Sequence, residues 1–261
     1  MADAPPPYAS YPRQNYQTSP YGRPPGVYIE AIGDAWNLVK SDLTTWVAAS
    51  LIFFVVAGAM YAVTLALVVF LLLGGNMFAT LPTETGEMIA YQLKSLVLSL
   101  PLVAVLHTLI AGLQVMGVRQ ASGQAINPGM VFQAFPRLLP ILGVTVLMQI
   151  AITLGAMACI VPAFFLTGAF ALAPMICVMQ GKGAIESMSL SFKTLGNGSW
   201  MMFLVYFIAS IAASLGVCAC GFGLLVTLPL FAVTIGLHYY YFFPPQTPAY
   251  VPVADESTWG R

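Results

Sequence analysis

The chain has 261 residues, of which 59% are hydrophobic and only 7% charged, and its mean hydropathy is +0.85. Soluble domains carry about 25% charged residues, so this composition excludes a water-soluble globular fold and predicts an all-α polytopic membrane protein. Nine basic and nine acidic residues cancel, which removes any bulk attraction to nucleic acid.

Residues 1–26 are rich in Pro, Tyr, Ser and Gln. Such a segment buries too little apolar surface to offset its ordering entropy, and it reads as a disordered cytoplasmic tail. Pro5-Pro6-Pro7-Tyr8 has the PPxY form read by WW modules, but a four-residue match in so biased a tail is what chance supplies, and a plain tether is the simpler reading. The first apolar run starts at Trp46 without a basic leader, so no signal peptide is expected. Residues 27–43 predict an amphipathic helix. Ile32, Ala35, Trp36 and Val39 share one face, and Glu30, Asp34, Lys40 and Asp42 fall elsewhere. A Trp-bearing stripe beside a span suits a helix lying in the membrane interface.

One crossing needs about 20 apolar residues. By that measure six spans follow, near 46–73, 96–118, 138–160, 163–179, 200–217 and 224–241. Residues 74–91 form a polar loop, and the chain turns back near Ile160-Val161-Pro162 and again at Gly221-Phe222-Gly223. Before the third and fifth spans lie two further short amphipathic segments, 127–137 with Val131, Phe132 and Phe135 as its apolar face, and 180–199. The predicted fold is three hairpins, each preceded by a short interfacial helix. Residues 244–261 are Pro-rich and read as a second disordered cytoplasmic tail.

Arg13, Arg23, Lys40, Arg119, Arg137, Lys182, Lys193 and Arg261 fall on one side of this scheme and Lys94 on the other. Cytoplasmic flanks collect Lys and Arg, so both termini are expected in the cytoplasm, with the protein in the cytoplasmic membrane. Tyr239-Tyr240-Tyr241-Phe242-Phe243 then forms an aromatic anchor at the inner surface. The cysteines are Cys159, Cys177, Cys218 and Cys220. Their spacing fits no zinc site. Either Cys159 pairs with Cys218 or Cys220 across one face, or all four are small apolar packing residues.

Ala31, Ile32 and Lys40 recur at an offset of 153 as Ala184, Ile185 and Lys193, and the stretch 118–126 echoes 178–185. The pattern predicts an internal repeat of one interfacial helix plus one hairpin, an arrangement common in transporters and found also in structural bundles.

Ala173-Pro174-Met175-Ile176, Gly183-Ala184-Ile185-Glu186-Ser187-Met188-Ser189, then Lys193-Thr194-Leu195-Gly196-Asn197 and Trp200, form a recognisable series. It resembles the membrane domain attached to some glycerophosphodiester phosphodiesterases, and related bacterial integral membrane families. The likeness covers roughly residues 138–241. Those families often carry Pro-Gly where this chain has Pro162-Ala163, and an acidic residue where Gln180 stands. The resemblance implies a six-span bacterial membrane domain. It does not imply phosphodiesterase activity, which belongs to a separate soluble barrel.

No paired carboxylates, metal cluster or activated nucleophile is legible, so neither an enzyme, a metal nor a cofactor is expected. His107 falls mid-span with Gln114 seven residues on, and Thr145, Gln149 and Thr153 are spaced by four on span three. Where these stripes meet they make a polar seam, either a pathway or hydrogen-bonded glue between helices. Lys182 and Lys193 are candidates for lipid-headgroup contact; the plainer reading is a solvated face. The expected partners are the bilayer and other membrane proteins. Two functions follow: a non-enzymatic scaffold or accessory factor, or a small transporter or permease for a neutral or lipid-like substrate. A membrane-embedded enzyme is the third and least supported. A cavity lined by His107 and Gln149 favours transport; a dry, Leu-filled centre favours the scaffold.

Overall fold

The computed structural model describes residues 23–72, 74, 85–218 and 223–244. The two tails, most of the first polar loop, Cys220 and the turn at residues 221–222 lie outside them. The described elements are α1 (Ala31–Ser41), α2 (Leu43–Leu72), α3 (Thr85–Ala121), a 3-10 helix (Pro128–Arg137), α4 (Leu138–Ala158), α5 (Ile160–Ala169), α6 (Ala173–Gln180), α7 (Ala184–Leu195), α8 (Ser199–Cys218) and α9 (Leu224–Phe242). Among the described residues there is no strand, and six stretches are long and apolar enough to cross a bilayer. They pair as α2–α3, α4–α5/α6 and α8–α9. Before them stand α1, the 3-10 helix and α7.

The short helices gather at one end, here the terminal side. Trp46 Nε1–H donates to Gln120 Oε1 at 2.9 Å, and Gln120 Nε2–H donates to the Leu38 carbonyl at 2.9 Å. Asp34 accepts from Arg23 at 2.7 Å and from the Tyr241 hydroxyl at 3.4 Å. His238 is fully buried; its Nδ1–H donates to the Thr234 carbonyl at 2.7 Å, and Nε2 accepts the Tyr28 N–H at 3.3 Å. These bonds bring the starts of α1 and α2 to the ends of α3 and α9. Among the described residues Lys94 is the one Lys or Arg on the opposite, hairpin side.

Several expectations are corrected. The first short helix is Ala31–Ser41, and its buried face is Ala31, Ala35, Leu38 and Val39. Trp36 instead turns outward beneath the Lys40 ammonium, 5.4 Å from the ring centroid. The two alanines allow close approach to α9, and that packing selects the face. In the second segment the 3-10 period of three aligns Val131 with Ala134, which are buried, and leaves Phe132 exposed. Residues 85–91, assigned to the polar loop, are the first two turns of α3. The turn expected at Ile160-Val161-Pro162 is a single extended residue, Cys159 (φ −173°, ψ 149°), and Pro162 sits in the first turn of α5, where a missing N–H costs nothing.

The fourth span is not one helix. It breaks at Phe170-Ala171-Leu172 and resumes as α6 with Pro174 at its second position. Pro174 has no N–H to continue the ladder across the break. Nor is the aromatic run of α9 an interface anchor: Tyr239, Tyr241 and Phe242 are core residues, with Tyr241 edge-on to Tyr28 at 5.7 Å. Cys159 is exposed and free, and Cys177 is buried and free; the side chain of Cys218, like Cys220, lies outside the described residues.

Candidate functional site

Five helices close a ring. α3 packs on α4 and α9, α4 on α5, α5 on α8, and α8 on α9. Glycines permit the closest approaches. A Cβ at Gly168 of α5 would lie 2.0 Å from the Ser199 carbonyl oxygen of α8, and one at Gly236 of α9 would lie 2.7 Å from the Gln114 carbonyl oxygen of α3. Small residues at helix contacts serve this purpose in membranes, where lipid tails offer no hydrophobic drive for association. α2 stands outside the ring, against α3 and α9. The segment α6, set off by the break in span four, contacts α3, α4 and α9 and underlies the ring on the terminal side. Ala173, Met175, Ile176 and Cys177 of α6 are fully buried there.

The ring encloses a cavity of about 200 Å3. Every ring helix lines it: His107, Ile110 and Gln114 from α3, Thr145, Met148, Gln149 and Ile152 from α4, Thr167 from α5, Tyr206 from α8 and Phe231 from α9. Ala171 and Pro174 of the broken span complete the wall. At 1.5 Å of rise per residue, the lining side chains of α3, α4, α8 and α9 lie about 10–20 Å from the terminal-side ends of their helices, near the middle of a 30 Å hydrocarbon layer. Thr145 is half-buried and Gln149, one turn nearer the hairpin side, is exposed, so the cavity opens along α4 away from α6.

The two predicted polar stripes therefore meet: His107, Gln114, Thr145 and Gln149 line one space. Thr153 does not; it lies one turn further along α4, exposed, where its Oγ1 accepts from Gln149 Nε2 at 3.5 Å. Among the described residues the seam's side-chain hydrogen bonds stay within single helices. His107 Nδ1–H donates to the Val103 carbonyl at 2.9 Å and Thr167 Oγ1–H to the Ala163 carbonyl at 2.9 Å, each within its own helix. Gln114 Oε1 and Thr145 Oγ1 are buried and have no partner. No hydrogen bond among the described residues joins one lining side chain to another helix. Tyr206 and Phe231 meet edge to face at 5.1 Å and form an aromatic wall.

Thr167, Tyr206, Phe231 and the break escaped the sequence reading. One signal was available: Thr167 is the lone hydroxyl between Ile160 and Met179, and Pro174 follows it by two turns. Lys182 and Lys193 lie elsewhere, around α7. Lys182 is ion-paired with Glu186 one helical turn on, and Lys193 is exposed. Helix α7 turns Ser187, Ser191 and Thr194 inward, with Ser191 Oγ–H donating to the Ala169 carbonyl at 2.7 Å, and turns Ile185 and Phe192 out. No family model, curated protein or solved structure matches the chain.

Proposed function

We propose that this chain is a small transporter or permease that takes a neutral, lipid-like molecule into the cavity between α3, α4, α5, α8 and α9. One observation carries the reading: two buried polar atoms, Gln114 Oε1 and Thr145 Oγ1, face the same mid-membrane space with nothing to bond. A buried polar group without a partner costs about 1–3 kcal/mol. A bundle built only for stability gains nothing by placing two of them around a void. The lining holds hydroxyls, amides, one imidazole and aromatic rings, and no carboxylate, lysine or arginine, which suits a neutral substrate. A broken helix bordering a mid-membrane site is common in secondary transporters, as are internal repeats such as the echo of residues 31–40 in 184–193.

Both termini are assigned to the cytoplasm, on the cationic terminal side, with α6 closing the cavity from that face. The resemblance to phosphodiesterase-associated membrane domains supports a bacterial host and adds no chemistry. The scaffold or accessory role is the second reading, favoured by α2, which has no fully buried residue from 54 to 72 and so leaves a long flank for another membrane protein.

Filling the cavity tests the proposal. Native protein and Thr145→Phe, brought to equal membrane abundance, are compared by mass spectrometry of the small molecules that co-purify. The co-purified species are then assayed for flux in proteoliposomes. A neutral species enriched by the native chain, lost from Thr145→Phe and moved across the bilayer supports transport. Identical profiles with no flux overturn it and leave the scaffold.

A further inference from the structure

Helix α4 joins the cavity to the surrounding lipid. Its side chains turn about 100° per residue, so each step of four advances about 6 Å and 40° round the helix. Thr145, Gln149 and Thr153 follow that step and wind off the cavity wall toward the hairpin side. About 120–180° round from Thr145 stand Ile150, Leu154 and Met157, all exposed and apolar, which mark the lipid face. Burial falls along the stripe accordingly: the Thr145 hydroxyl is buried, and Gln149 and Thr153 are exposed. The ring is open at this stretch. The buried residues shared by α3 and α4, namely Ala111, Ile141 and Val144, lie level with the cavity or on its terminal side. Toward the hairpin side α4 buries only Gly155, and that against Ala163 and Leu166 of α5. The direct way up α4 to hairpin-side water, over Ile152 and Ala156, offers no polar side chain. Gln149 and Thr153 thus stand about 14 and 8 Å inside the hairpin-side end of α4. They share one bond, from Gln149 Nε2 to Thr153 Oγ1 at 3.5 Å. The hydrocarbon core holds no water to satisfy what is left, so an amide and a hydroxyl facing lipid are costly unless a polar group passes them.

We infer, resting on the binding role proposed above, that the cavity takes a neutral lipid sideways from the hairpin-side leaflet. Its head passes Thr153 and Gln149 to Thr145, and its chain stays in the bilayer against Ile150, Leu154 and Met157. The head is small. A cavity of about 150 Å3 holds benzene, so a space of about 200 Å3 takes a head of glycerol size. It is also hydroxylated: the amides of Gln114 and Gln149 and the hydroxyls of Thr145 and Tyr206 can each donate and accept, and a hydroxyl answers both. No carboxylate, lysine or arginine lines the space to compensate a charged head. A 1-monoacylglycerol is the simplest lipid with these properties.

The test uses the full chain in phosphatidylcholine nanodiscs doped with a 1-monoacylglycerol that carries a diazirine midway along its chain. After irradiation the labelled peptides are mapped by mass spectrometry. Labelling of α4 around Ile150, Leu154 and Met157 should be competed by unlabelled 1-oleoylglycerol and not by methyl oleate, which has the chain without the head. That competition is read on the native chain and needs no variant. Labelling should also fall about tenfold or more in Thr145→Phe, which fills the cavity, and in the double variant Gln149→Leu, Thr153→Val, which makes the stripe apolar. Labelling that methyl oleate competes equally, or that Thr145→Phe leaves unchanged, comes from the surrounding lipid and overturns the inference; the proposed function then stands or falls on its own co-purification test. Labelling that Thr145→Phe removes, but that lies off α4 or survives the double variant, overturns the lateral route and keeps the cavity as a binding site.

Discussion

On the terminal side α2 buries Trp46, Ala49, Ser50 and Phe53, whereas from residue 54 to 72 the same helix has no fully buried residue, and Phe54, Val56 and Ala57 are only partly buried against the core. α3 is divided alike: among its described side chains the earliest buried one is Ala104, and from there to Ala121 it forms the centre of the bundle. The 37 residues of α3 make a helix about 55 Å long, against about 28 Å for the 19 of α9. The α2–α3 hairpin therefore runs well beyond the ring. Both halves are apolar, so apolarity does not separate them. What separates them is contact chemistry. Within α2 and α3 the terminal half has glycines where backbones touch and polar side chains that reach across helices, and the described residues of their hairpin half have neither. In lipid, where burying apolar surface yields little, those two features decide what packs.

The sharpest way to break this contrast is one substitution made in each half. A Cβ at Gly112 would lie 2.0 Å from the Val131 carbonyl oxygen, whereas one at Gly58 would meet nothing within 4 Å. Gly112→Ala should lower stability by about 3 kcal/mol, and Gly58→Ala should change it by less than about 0.5 kcal/mol, both read by reversible unfolding in mixed micelles. An equal loss at Gly58 would mean that α2 is packed there too. Next in size is Gln120→Leu, which strips partners from the buried Trp46 N–H and the Leu38 carbonyl. It should cost about 2 kcal/mol and shift Trp fluorescence; an unchanged midpoint would remove Gln120 from the set of ties.

Asp34→Asn should cost about 0.5 kcal/mol or less, because the Arg23–Asp34 pair is partly exposed, with side chains 33% and 21% accessible. That small loss should vanish at high salt, and one that survives 1 M salt would speak for the Tyr241 bond instead. The last comparison needs no change in stability. In a Cys218→Ala, Cys220→Ala background, a maleimide should modify Cys159 at the hairpin-side turn and leave buried Cys177 untouched until unfolding. Prompt labelling of Cys177 would show α6 loosely held.

The number of spans, their hairpin pairing and the short helices between them were legible, because bilayer thickness converts directly into run length and the polar interruptions are unmistakable. The meeting of His107 and Gln114 with Thr145 and Gln149 was legible for a similar reason: helical spacing puts each pair on one face, and neutral polar groups in a span face protein. The outward turn of Trp36 and the loss of Phe132 from the core were not. Near an interface both faces of a short helix tolerate apolar groups, so periodicity alone cannot say which one docks. The break at residues 170–172 was half visible in Pro174, but proline says only that a ladder is interrupted. Where the next segment goes depends on what lies beneath it, here α3, α4 and α9.

The contact between α1 and α9 has a consequence for biogenesis. Tyr28 and His238 are 210 residues apart in the chain, yet the Tyr28 N–H donates to His238 Nε2. A ribosome adding about 5–20 residues per second separates their synthesis by roughly 10–40 s. During that interval α1 has only its smaller contacts with α2 and α3, since the helix against which it chiefly packs has yet to emerge. Docking of α1 onto α9 is thus a late event of assembly, and a truncated product lacking α9 leaves that helix held only by α2 and α3.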